Sequence, residues 1–530
     1  MTENGRSVLL RDARLLLPVS LLAALAIGAC ERTPPEGETD SVRFERYTDP
    51  AKVRSYPASA ARINAWIAAS DTAAIRQHGW DIWESITAML AGGTPEPIWE
   101  TWYSGHEIFE IDTVTATAAL TAAGGDLSRF EIPRSAFAKM RHEIPLQTGH
   151  GRTAGAGQDR LPRDRIGSVF SFNRYTRTTA RQIYGRKLWD FQVLKAINDS
   201  FNTAHTPVAQ REVLVSVDSV DALSFVLKPV FQFIDGAEPS CIPYWAGDTP
   251  ATTNSAGMNP VAREWKQFAV VDPQGKFDTP MSPTGVPILN CPSSEVAYPV
   301  VKLTNFYHRK LTQAMVDSFS LFAAGGSDDI GLGDSTAQSD IMEMVRPGNF
   351  GVLVAMHVTG KEIVNWTWQS FWWSPTPNDS LGFDRPKTIG APWNNYQMTT
   401  AYYMTDPGNA GPKGTPRIAY NPYLETSLNG QVDTAGAPVQ QWYGPTTNCM
   451  SCHRMASWKP GIDSTTNPSQ PTPCFSGPAR PYMPAGYIDA GNVQLLSGLT
   501  KTDFLWSVAI RTANVPQCPP PPAPRPAPGR

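Results

Sequence analysis

Residues 449–453 read Cys-Met-Ser-Cys-His, and this run constrains the chain more than any other segment. Two thiols stand three positions apart, one turn of a helix, and a histidine follows directly. That is the pattern of a covalent c-type haem attachment site. The sulfurs of Cys449 and Cys452 form thioethers with the vinyl groups on one edge of the porphyrin, and His453 offers its imidazole to the iron as proximal ligand. The pattern occurs once, so one haem c is expected. Two other chemistries use a Cys-x-x-Cys pair. A structural zinc site needs a second close pair, and Cys30, Cys241, Cys291, Cys474 and Cys518 are isolated. A thiol–disulfide redox motif opens a helix after a strand, whereas Gly444, Pro445, Thr446 and Thr447 precede this one.

Haem is joined to cysteines outside the cytoplasm, so the reading calls for an export signal. Arg6, Arg11 and Arg14 form a basic stretch, and residues 15–29 are apolar, too short for a comfortable membrane span. The ending Ile27-Gly28-Ala29-Cys30 resembles the lipobox of bacterial lipoproteins. That resemblance implies a lipoprotein signal peptide over residues 1–29, cleavage before Cys30, and lipid on its thiol. Residues 30–56, polar and proline-bearing, then read as a tether. The expected location is the periplasmic side of a bacterial membrane, with the lipid on Cys30 as the membrane contact. Of the seven cysteines, four remain after lipid and haem are assigned, an even number in an oxidising compartment. Sequence order pairs Cys241 with Cys291 and Cys474 with Cys518; the two other pairings stay open.

Roughly 500 residues after export exceed one ordinary core, so at least two domains are expected. A net charge of −3 is small for this length and excludes nucleic acid as the expected partner. With 48 Pro, 41 Gly and only 18% charged residues, the composition fits a loop-rich exported protein better than a helical bundle. No phosphate loop, zinc-protease helix or serine nucleophile elbow occurs.

Residues 58–69 and 72–90 carry apolar positions at helical spacing, the second with Asp71 as N-cap. Residues 213–217, 224–234, 268–271, 298–303 and 351–358 are short, rich in β-branched and aromatic side chains, and read as strands. Residues 177–200 and 304–322 read as helices between them. The whole of 57–405 is therefore expected to be an α+β domain. Val364, Trp366, Trp368 and Ser370 alternate as in a strand, which puts two tryptophans on one face. They read as an aromatic core strand, with a haem-facing wall as the functional alternative. The His357 and Trp-x-Trp run resembles one found in uncharacterised exported bacterial proteins that also carry a single Cys-x-x-Cys-His. The Pro/Gly-rich residues 406–422 read as a linker. Residues 516–530 are a proline-rich tail.

Residues 423–515 resemble the class I cytochrome c domain, a mostly α fold around one haem, on the strength of the motif. In that family a methionine ligand precedes a last helix. Here Met483, in Pro481-Tyr482-Met483-Pro484, precedes residues 499–511, where Phe504, Leu505, Val508 and Ala509 are helically spaced. The resemblance implies Met483 as sixth ligand, with Met455, His308 and His357 as competitors. It departs from the family before Cys449, where Gly, Pro and Gln replace an amphipathic helix, so the Trp-rich strands are candidates to take that helix's place. The chain as a whole is thus expected to be multidomain, an α+β N-terminal domain plus a C-terminal mostly α cytochrome c-like domain. The expected function is electron transfer by a monohaem c-type cytochrome with a redox partner protein. The alternatives are a haem-dependent oxidoreductase, peroxidase-like or substrate-oxidising, whose large domain binds substrate, and a haem-based sensor.

Overall fold

Two long apolar runs organise the molecule by pairing with each other. In the computed structural model the described residues are 58–89, 96–109, 169–213, 224–246, 265, 267–282, 288–289, 291, 296–316, 344–426, 429–434, 437–442, 444–460 and 485–510. The readings of a signal peptide, a tether and a proline-rich tail fall outside them, as do Cys30, Cys474, Met483 and Cys518. The main sheet contains β1 (Tyr103–Ser104), β2 (Phe170–Ser171), β3 (Arg174–Tyr175), β4 (Phe225–Ile234), β5 (His308–Lys310), β6 (Phe350–Gly360), β7 (Thr367–Trp373) and β8 (Tyr396–Thr400). Its order is β1-β3-β4-β6-β7-β8, with β2 also on β4 and β5 also on β6, and all of these pairs are antiparallel. The long β4–β6 pair carries an irregularity at Val230/Phe231, where one extra residue sharpens the local twist. A smaller sheet of Ser240–Pro243, Phe268–Asp272 and Val300–Lys302 stands beside a disulfide between Cys241 and Cys291, whose Cα atoms are 5.0 Å apart.

Helices α1 (Ala60–Ala68) and α2 (Thr72–Ile86) form where the spacing puts them, and Asp71 caps α2 by accepting from the Ala74 amide at 3.0 Å. Helix α2 lies on the sheet face made by Gln369, Phe371 and Met398. The Trp83 ring stacks on Phe371 at 4.1 Å, and Gly79 comes so close to Met398 and Gln369 that a Cβ there would meet both. Alternation along β7 sends Trp368 and Ser370 to the opposite face.

The structure corrects the expected fold class. Among the described residues the chain is rich in antiparallel sheet, and all of them belong to one compact unit. Residues 423–515 do not form a mostly α cytochrome c-like domain. They contain strand pairs Asn429–Thr434 with Ala437–Trp442, and β9 (Ser457–Trp458) with β10 (Thr500–Lys501). Their helices, including α5 (Cys449–Arg454) and α6 (Trp506–Ile510), span four to six residues. Asp503 and Phe504 stand at φ +48° and +66°; this left-handed pair cannot propagate a helix, so the helical spacing read over 499–511 yields little more than one turn. The side chains that would have packed inside a separate helical domain share a core with the main sheet: Met450, Met455, Trp458, Phe504 and Val508 cluster with Val226, Trp366 and Trp368.

Two further expectations change. The helix read over 177–200 is two helices, α3 (Arg177–Gly185) and α4 (Phe191–Thr203). The break is a left-handed Lys187 at φ +53°, with the Leu188 amide bonding back to the Ile183 carbonyl, a helix stop that usually uses glycine. The helix read over 304–322 begins as a 3-10 turn, Leu303–Asn305, and becomes β5, which pairs with β6; helix is found only from 313 to 316, and 317–322 lie outside the described residues. Strand β7 starts only at Thr367. Trp366 is buried at φ +62° in the turn before it, and Val364 is exposed.

Candidate functional site

Helix α5 is short, and capping and remote hydrogen bonds fix its position. Asn448 caps it by accepting from the Ser451 amide at 3.1 Å, while its own amide donates to the Arg417 and Tyr403 carbonyls at 3.1 and 3.3 Å. The Cys449 amide and thiol both donate to the Ala419 carbonyl, at 3.1 and 3.2 Å. Residues 406–422, read as a linker, thus contribute the strip against which α5 is set. Cys449 and Cys452 are partly exposed thiols one turn apart. Burial pushes the Cys449 thiol well up, with the Glu425 charge and the Cys452 sulfur adding to the effect. A reactive redox dithiol needs the opposite, a depressed thiol.

His453 is held by the C-terminal turn. Its Nδ1 lies 2.7 Å from the Phe504 carbonyl. A carbonyl only accepts, so Nδ1 carries the proton and the Nε2 lone pair stays open for a metal. The residue is half-buried, and burial lowers its pKa to about 3; the bond to Phe504 works against this, and His357 and Lys228 add to it. The imidazole is therefore neutral, the form that ligates.

Trp368 walls the histidine from the sheet side, its ring 4.3 Å from that of His453 and 6.2 Å from Phe504. The indole N–H donates to the Asn365 carbonyl at 3.0 Å, and the Asn365 side chain accepts from Arg454. The Arg454 guanidinium in turn lies 4.4 Å over the Phe504 ring. His357 pairs across β6–β7 with Ser370 and across β4–β6 with Lys228. Alternation therefore puts it on the face that carries Trp368. Its Nε2 is 2.7 Å from the Glu425 carboxylate.

The structure thus brings together Cys449, Cys452 and His453. The remaining sequence-read candidates divide. Met483 and Cys30 lie outside the described residues. Met455 is buried in the shared core at the end of α5. His308 faces the Phe306 carbonyl at 3.0 Å and the Phe350 ring at 5.7 Å. His357 stands on the Trp368 face, against Glu425. Sequence reading missed the Phe504 carbonyl, a backbone group 51 positions from its partner. It found Trp368 only as one of two equivalent tryptophans.

The donor set fits a covalently attached haem: two thiols on one helical turn, and a neutral histidine whose second nitrogen is already committed to a carbonyl. Among the described residues no group of three or more His, Cys, Asp or Glu is arranged to hold a bare metal ion, and a haem iron does not call for one. No family model, curated protein or solved structure matches the chain.

Proposed function

We propose that the chain is a monohaem c-type cytochrome that transfers electrons outside the cytoplasm. The observation that carries this reading is the His453 Nδ1–H bond to the Phe504 carbonyl beside two thiols one turn apart. Cys449 and Cys452 would hold the haem through thioethers, each S–H adding across one vinyl group with no change in net oxidation. When bound, the group supplies a one-electron couple whose potential follows its axial ligands and their hydrogen bonds. The chain orients His453, keeps it neutral, and covers it with Trp368. Met483 is the proposed sixth ligand. Lipid on Cys30 is the proposed membrane attachment, on the periplasmic side, near a redox partner protein; among the described residues no helix is long and apolar enough to cross a membrane.

A haem-dependent oxidoreductase is the second reading, and the His357–Glu425 pair on the Trp368 face is what favours it, since such a pair can move protons. One set of spectra tests both. The expected result for the mature chain is one haem retained after denaturation, by pyridine haemochrome. Cys449→Ala/Cys452→Ala is expected to retain none. A low-spin spectrum that Met483→Ala converts to high-spin supports the carrier. A wild-type high-spin iron that binds carbon monoxide readily supports the oxidoreductase. Absence of covalent haem from chain made in a host competent for haem attachment would refute both.

A further inference from the structure

Behind the Phe504 carbonyl lies a charge pair that the motif does not reveal. The Lys361 ammonium is 2.6 Å from the Asp503 carboxylate, and both side chains are at most 1% exposed. Lys361 also donates to the Val364 carbonyl at 3.0 Å and sits 5.3 Å over the Trp366 ring. Its backbone amide is tied to Ser224 at 2.8 Å, so the lysine is anchored on the main sheet. Asp503 heads the left-handed pair that ends in Phe504. Such a conformation is unfavourable for residues other than glycine and persists only where the surroundings over-determine it. The surroundings here are the Lys361 pair on Asp503 itself, the Thr502 amide on the Ala456 carbonyl, 3.0 Å, just before it, and the Leu505 amide on the Thr502 carbonyl, 2.9 Å, just after Phe504. Burial pulls the lysine below its ordinary value, while Asp503 opposes this.

We infer that Asp503, clamped by Lys361, is a positioning residue that sets the Phe504 carbonyl against Nδ1 of His453 and so tunes the iron ligand. The inference deepens the proposed function and rests on it. The chain of contacts is Lys361 to Asp503, Asp503 to the turn, and the turn to the imidazole. A carbonyl that draws on the Nδ1 proton makes the imidazole a stronger donor through Nε2. A stronger donor favours the oxidised iron, so a slackened turn is expected to raise the reduction potential. The sheet thereby acts on the ligand from both sides, through Trp368 directly and through Lys361 by way of the turn.

The test uses the mature haem-loaded chain with Asp503→Asn and Lys361→Met/Asp503→Asn. The double variant removes the pair without leaving either charge buried alone, and asparagine tolerates the left-handed backbone while losing the carboxylate charge. At a fixed poise, the double variant is expected to move the oxidised-to-reduced ratio about tenfold toward reduced, about 59 mV for one electron. Asp503→Asn should move it the same way by less. Unchanged ratios in variants that fold would overturn the inference. A second readout is independent of haem: exchange of the His453 Nδ1 proton, followed by NMR in the haem-free chain. Asp503→Asn is expected to exchange at least tenfold faster than wild type, and equal rates would overturn the inference even where the double variant does not fold. If haemochrome analysis finds no covalent haem, the functional reading fails while the exchange experiment still judges the clamp.

Discussion

Trp368→Ala tests whether the Trp-rich strand is only core or also a wall for His453. The side chain is 3% exposed. Three contributions are lost. Burial of so large a ring contributes about 3 kcal/mol. The indole bond to the Asn365 carbonyl contributes about 1 kcal/mol. The aromatic contacts to His453 and Phe504 contribute about 1 kcal/mol more. The variant therefore belongs near the upper end of the about 3–5 kcal/mol found for removing a buried tryptophan. Trp83→Ala is the control. Its ring is equally buried, stacks on Phe371, and donates to the Trp393 carbonyl at 3.1 Å, but it lies on the other face of the sheet. Urea unfolding should give similar losses for both. The potential and spin state of the haem-loaded protein, measured well below the unfolding midpoint, should change in Trp368→Ala and not in Trp83→Ala. Equal spectroscopic changes in the two variants would mean that the site responds to global loosening, and the wall would have no special role.

Other perturbations probe the frame around the site. Glu362 is buried, and its carboxylate accepts from the Ala58 amide, His78 Nε2 and the Thr367 hydroxyl, at 3.2, 3.1 and 2.9 Å. Glu362→Ala, which removes the shared acceptor of three buried groups, should cost about 3–5 kcal/mol in urea titrations. Glu362→Gln, whose amide can donate to Thr367 while its oxygen keeps the other two, should cost less than about 1.5 kcal/mol; equal costs would refute this network. Gly360→Ala would drive a Cβ into the Phe225 ring, 2.6 Å from its Cζ and closer still to Cε1, and Phe225 is fully buried. A loss of about 1–3 kcal/mol by the same assay is expected, and a neutral result would mean that β4 and β6 separate at that end. Cys241→Ser/Cys291→Ser opens a crosslink spanning 50 positions and should lower stability by up to about 4 kcal/mol. Unchanged stability after reduction of the wild type would show the bond to be energetically idle.

What the sequence made legible was local. Asp71 and the apolar stripe after it specify α2 because capping and helical spacing act over one or two turns. The β-branched and aromatic runs specify β4 and β6 in the same way. The left-handed residues were not legible. Lys187, Trp366, Asp503 and Phe504 hold positive φ without being glycine, and nothing in their side chains announces it. Each ends or forestalls a regular element, which explains the split helix at 187, the late start of β7 and the shortness of α6. Phe504, Leu505, Val508 and Ala509 do have helical spacing, but short apolar runs fit several elements, and tertiary packing chose among them. Within the site, the two thiols and the histidine are legible because all three lie in five consecutive residues. The acceptor for His453 is a backbone carbonyl supplied by that unforeseen turn.

This division between local and remote determinants has a consequence for the order in which the site can fail. On the proposed function, attachment would depend on Cys449 and Cys452, which any chain retaining α5 can present. Ligand tuning would depend on segments far away in sequence: Lys361 and Trp368 from the sheet, Ala419 behind the helix, and Phe504 from the turn before α6. A perturbation that loosens their common core acts on the imidazole long before it can break a thioether. In a urea titration of the haem-loaded chain, covalent haem content should therefore stay constant, while the potential and the spin state drift at concentrations below the main unfolding transition. Drift in Lys361→Met should begin at lower urea than in wild type, because a buried Asp503 that has lost the Lys361 ammonium loosens the turn first. If spectral change and global unfolding coincide in both proteins, the turn has no independent freedom, and the site is held by the fold as a whole.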